Sequence, residues 1–114
     1  MINKLAELLF RRVYHPIIAL ICADKHGQIT HMELVDALFA HREKVVVPDA
    51  ESIYLIFSHP DGQMKMTTEE NAVLEQIESQ ALNSSLSVYL YNEDDGLLRV
   101  DRRRNPEYND ENVI

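Results

Sequence analysis

The chain has 114 residues, 46% of them apolar and 26% charged, which suits one globular domain with a single core and excludes a disordered or two-domain chain. The formal charge of −8 is lopsided: residues 1–48 carry six Lys/Arg against five Asp/Glu, and residues 49–114 carry five against fourteen. An acidic second half disfavours nonspecific attraction to phosphate backbones or anionic lipid and suits docking on a basic protein surface.

Ile2, Leu5, Leu8, Leu9 and Val13 form a helical stripe with Asn3 as a cap. His15-Pro16 interrupts it, because proline disfavours helical geometry in the residue before it and suits the first turn of a new helix. A second helix is therefore expected from Pro16 to Ala23, apolar on most sides and central to the core. Arg11-Arg12 ahead of Pro16–Cys22 has the outline of an export signal with a lipid-modified cysteine. Glu7 and the bulky Ile21 before Cys22 break that pattern, and the apolar run is too short to span a bilayer. The single cysteine excludes an internal disulfide, so a reducing, cytoplasmic setting away from the membrane is expected.

Asp24–Gly27 ends the second helix, and the stretch His26–Phe39 predicts a third. Thr30 and Glu33 have capping-box spacing, and Met32, Leu34, Val35, Leu38 and Phe39 fit a 3.6-residue period that runs to His41. Val45-Val46-Val47 favours extended backbone, which Pro48 ends. Ser52–Ser58 is ambiguous. It reads as a buried strand turning at His59–Gly62 into a partner over Gln63–Met66. It reads equally as a helix capped by Asp49 with Ile53, Ile56 and Phe57 inward. Thr67–Glu70 is a second capping box, and Val73, Leu74, Ile77 and Ala81 continue a helix ending near Asn83-Ser84. Leu86, Val88 and Leu90 then alternate with polar and aromatic residues in a half-buried strand. A turn over Asn92–Gly96 returns it through Leu98 and Val100. Residues 1–102 form a single globular domain, and residues 103–114 read as a polar C-terminal tail.

The helix–short strand–helix order around residue 27 resembles the winged-helix DNA-binding domain of response-regulator and ToxR/CadC-type transcription activators. Gly27, Ile29, Glu33, Leu34, Phe39, Arg42, Val45, Val46, Asp49, Ile53, Tyr54 and Ser58 lie along that pattern with one insertion, over about a third of the chain. The resemblance implies a recognition helix after Asp49 and a C-terminal hairpin acting as a wing. The departure is chemical: Asp49–Gly62 contains no Lys or Arg, the residues that grip phosphates and read base edges.

Other constellations are weaker. A calcium loop with Gly27 at its sixth position would need an acid where Cys22 stands and an oxygen donor where His26 stands. Cys22, His26 and His31, with His15 or His41, have no standard zinc spacing. With three glycines there is no phosphate loop, and no nucleophile elbow or other catalytic arrangement stands out, so no metal, cofactor or enzymatic activity is expected.

The expected fold is α+β: N-terminal helices plus a C-terminal β-hairpin packed on them, winged-helix-like in arrangement. The expected function is that of a small non-enzymatic regulatory protein, acting in transcription control through DNA, a protein partner or both. The alternative is an acidic protein-binding modulator (an inhibitor, immunity protein or adaptor) without DNA binding. Arg42, Lys44, Arg99, Arg102, Arg103 and Arg104 are the candidate contacts to a nucleic acid or partner. A protein partner is expected, DNA is disfavoured by the charge, and a homodimer stays open.

Overall fold

A computed structural model describes residues 2–11, 15–36, 45–63 and 65–100. Their order is α1 (Ile2–Phe10), β1 (Ile17–Ala23), β2 (Ile29–Asp36), β3 (Ser52–Ser58), α2 (Thr68–Gln80), β4 (Ser85–Asn92) and β5 (Gly96–Val100). The five strands form one mixed sheet in the order β2-β1-β3-β4-β5, with one helix on each face, so the class is α+β. Among the described residues, no helix is long and apolar enough to cross a membrane.

The expected helix over Pro16–Ala23 is strand β1. It pairs antiparallel with β2 on one side and with β3 on the other, and Ile18 to Ala23 are all buried. A strand covered on both faces needs apolar residues at odd and even positions alike, and that pattern is as continuous as a buried helix's. Ile18, Leu20 and Cys22 face α2, where Val73, Leu74 and Ile77 close one core with Ile53, Leu55, Phe57, Val88 and Leu90. Ala19 and Ile21 face α1, packing with Ala6, Phe10, Ile56 and Tyr91. The Phe10 and Tyr91 rings lie 5.4 Å apart, centroid to centroid.

The described part of the expected Thr30–His41 helix, residues 30–36, is strand β2; residues 37–41 lie outside the described residues. Its capping box does not form: the Thr30 hydroxyl donates instead to the carbonyl of Cys22 across the hairpin, at 3.4 Å. Asp24 makes the turn, its carboxylate accepting from the backbone N–H groups of His26 and Gln28. Gly27 there takes φ +80°, a left-handed conformation that glycine adopts without steric cost.

The ambiguous Ser52–Ser58 is strand β3. It is antiparallel to β1 and parallel to β4, rather than hairpinned to Gln63–Met66. The positions of the winged-helix resemblance that fall among the described residues lie in the β1–β2 hairpin, the 45–50 segment and β3. Within the candidate recognition segment Asp49–Gly62, Ser52–Ser58 is a central strand. At the N-terminus α1 is the one described helix before the sheet. Asn3 lies inside it, and Leu8 is exposed rather than on the buried stripe.

The second half follows its local signals. Thr67 caps α2 with the full reciprocal box: its hydroxyl accepts from the Glu70 N–H at 3.0 Å, and the Glu70 carboxylate accepts from the Thr67 N–H at 2.9 Å. The helix stops at Gln80, somewhat earlier than its spacing predicts. β4 and β5 form the expected hairpin, with the Asn92 side-chain oxygen accepting from the Asp95 N–H in the turn. The Val45–Val47 segment joins no strand among the described residues; Gln76 and Gln80 of α2 accept from its Val45 and Val47 N–H groups.

Candidate interaction edge

β2 is one margin of the sheet. Its inner side pairs with β1 in unbroken register from His31 to Asp36, the register shifts at Thr30 and pairing resumes at Ile29; its outer side meets no strand among the described residues. Such a side offers a row of main-chain donors and acceptors to a further strand. With eight residues it is longer than β5, the five-residue strand at the other margin. Short edge strands are a common protection against unwanted pairing, and β2 lacks it.

The side chains of β2 separate by face. Val35 reaches the α2 core, while His31 and Glu33 on the same face stand in solvent, with His31 Nε2 3.3 Å from Glu33 Oε1. On the α1 face Met32 is 42% exposed and Leu34 48% exposed. Their neighbours across the hairpin are Ile21 and Ala19, which are wholly buried. The core on that face thus runs to the margin and ends in two uncovered apolar side chains. One or two exposed aliphatic residues are ordinary, but beside an open strand edge they make a surface able to take a strand and its side chains together.

Of the sequence-derived contact residues, Arg99 alone lies among the described ones. It is exposed on β5, opposite Tyr89 and at the far margin from β2. Arg42, Lys44, Arg102, Arg103 and Arg104 lie outside the described residues. Over residues 49–100 only Lys65 and Arg99 offset the acids, which include Glu69, Glu75 and Glu78 on α2 and Glu93, Asp94 and Asp95 in the last turn.

The cysteine and histidines weighed for metal binding do not gather. Cys22 is buried in β1, where burial first and then the charge of Glu33 push its thiol pKa up, away from reactivity. His26 sits in the β1–β2 turn and His31 on the edge strand, and no three His, Cys, Asp or Glu converge among the described residues.

One ionisable pair is invisible in the sequence pattern. His59 follows β3 directly, and its N–H donates to the Tyr91 carbonyl at 2.8 Å. Its Nε2 lies 2.7 and 2.9 Å from the two carboxylate oxygens of Glu70, and its Nδ1 lies 2.5 Å from the Gln63 carbonyl. A carbonyl only accepts, so Nδ1 carries a proton, and a carboxylate at Nε2 calls for another, which makes the ring an imidazolium. Burial opposes that charge. The bonds to Glu70 and Gln63, with the charges of Glu70 and Asp61, outweigh it and hold the pKa above the ordinary 6.5. Both side chains are nearly sealed, at 5% and 4% exposure, so the pair ties the end of β3 to the start of α2 and offers no access to a substrate.

Comparisons with protein-family models, with curated proteins and with solved structures found no match to this chain.

Proposed function

We propose that this chain is a small non-enzymatic regulatory protein that acts by binding a protein strand along the outer edge of β2. The observation that carries the reading is an eight-residue edge that meets no further strand among the described residues, together with the exposed Met32 and Leu34 beside the buried Ile21 and Ala19. Main-chain bonds along such an edge supply affinity, and the alternating side chains supply selectivity. The free, buried Cys22 suits a reducing cytoplasm.

Transcription control through DNA is the second reading. Its support is the sequence triplet Arg102, Arg103 and Arg104 shortly after Arg99, with Arg42 and Lys44 as further contacts. It is weaker because duplex affinity depends on cations that displace counterions, and the second half of the chain is strongly acidic.

Capture from nuclease-treated host lysate separates the two. The immobilised chain should retain a protein partner that the Met32→Lys/Leu34→Lys variant releases and that a Leu98→Lys variant on β5 keeps. Retention by the β2 variant would refute the edge reading. A tight complex with random duplex at moderate salt, lost on changing Arg102, Arg103 and Arg104 to Ala, would favour DNA instead.

A further inference from the structure

Building on the edge-binding reading, we infer that the strand seated on β2 is β2 of a second copy of this chain, antiparallel about a two-fold axis through Met32. A symmetric antiparallel contact places residue i of one strand opposite residue j of the other with i + j constant, and residues sharing a face must have matching parity. Few registers of ITHMELVD remain, and their chemistry differs.

With Glu33 on the axis, two carboxylates face each other, a repulsive cross-strand pair. With His31 on the axis, two imidazoles meet. With Leu34 on the axis, Met32 is set against Asp36 of the second copy, and Glu33 against its Val35. With Met32 on the axis, Met32 meets Met32 and His31 meets Glu33 twice by symmetry, all within the regular part of β2, while Leu34 reaches the register shift at Thr30 of the second copy. This register alone matches every close charged group with a partner and sets apolar against apolar at the centre.

The faces agree with it. A two-fold axis perpendicular to the sheet keeps like faces together, so the α1 faces of both copies continue into one another. Met32 and Leu34 from each copy then form one apolar strip joining the two buried Ile21–Ala19 margins. On the opposite face the existing His31–Glu33 contacts, now 3.3 Å within one strand, become a four-residue cluster. The polar side chains that border the edge of a monomer are thereby made self-complementary.

Sedimentation velocity on the full chain over a concentration series, with cysteine cross-linking, tests the register. Met32→Cys should form an inter-chain disulfide under mild oxidant, because residues opposite one another across a strand pair have Cα atoms about 4.5–5.5 Å apart, within disulfide reach. Leu34→Cys should not, since the two copies of residue 34 are then about four residues, or roughly 13 Å, apart along the strands. The native cysteine is buried and does not compete. Glu33→Lys should abolish the dimer, and His31→Glu/Glu33→Lys should restore it. A wild-type chain that stays monomeric, a dimer that survives Glu33→Lys, or a Leu34→Cys cross-link as fast as that of Met32→Cys would each overturn the assignment. If the chain is monomeric while Met32→Lys/Leu34→Lys still releases a captured protein, the second copy is wrong and the edge-binding reading stands. If that variant alters neither the oligomer nor the capture, both fall.

Discussion

Two His–Glu pairs in this protein have the same chemistry and opposite settings. His59 and Glu70 meet at 2.7 Å with 5% and 4% of their side chains exposed, whereas His31 and Glu33 meet at 3.3 Å with 36% and 46% exposed. In the buried pair each polar atom is committed: the carboxylate also serves the first turn of α2, and the imidazole also serves Gln63. In the exposed pair water competes for every partner. Burial rather than residue identity therefore decides which pair holds the fold and which remains available to another chain.

The comparison is broken most sharply by truncating one acid in each pair. Glu70→Ala leaves a buried imidazolium without its counter-charge and should cost about 3–5 kcal/mol in urea unfolding. Linkage gives the same pair a pH signature. The folded pKa of His59 lies above its unfolded value, so its contribution is complete below about pH 6.5 and is lost as pH rises through the folded value. The unfolding free energy should fall over that window, and His59→Gln should flatten the profile. An unchanged slope in the variant would remove the imidazolium from the account.

Leu20→Ala, in a strand sealed on both faces, should cost about 2–5 kcal/mol. Met32→Ala, on the neighbouring strand, should stay within about 1 kcal/mol when measured in dilute protein. An effect of similar size is expected at Thr67→Ala, which removes the hydroxyl half of the capping box and should cost about 1 kcal/mol. The smallest is Glu33→Ala, within about 0.5 kcal/mol, since an exposed pair contributes little to stability. A loss at Glu33 as large as that at Glu70 would erase the distinction.

How far the fold is legible in the sequence follows the range of the forces involved. The Thr67–Glu70 box and the hairpin around Asn92–Gly96 are written in neighbouring residues, and both form as expected. β1 was always going to be buried, but a run such as IIALICA has no period that separates a strand covered on two faces from a buried helix. β2 misleads in the opposite way. An edge strand open on much of both faces is not held to strict alternation, so Met32, Leu34 and Val35 fall on a helical spacing by accident. β3 could be assigned only by its partners, β1 some thirty residues before it and β4 some thirty after it. Glu70 stands out through its cap, yet nothing local joins it to His59, whose only cue is its place at the end of an apolar run. Of the arginines that suggested a contact surface, Arg99 sits at the far margin from β2, so the open edge is visible only once strand order is known.

That strand order also bears on how the chain reaches its native state. The β1–β2 and β4–β5 pairs are local hairpins closed by short turns, whereas both partners of β3 are distant in sequence and one pairing is parallel. Loop-closure entropy is therefore concentrated on a single strand, and non-local parallel pairing is the slow kind. Until β3 inserts, β1 has its second edge bare with Leu20 and Ile21 uncovered, so the interval before insertion is when the chain is most exposed to aggregation.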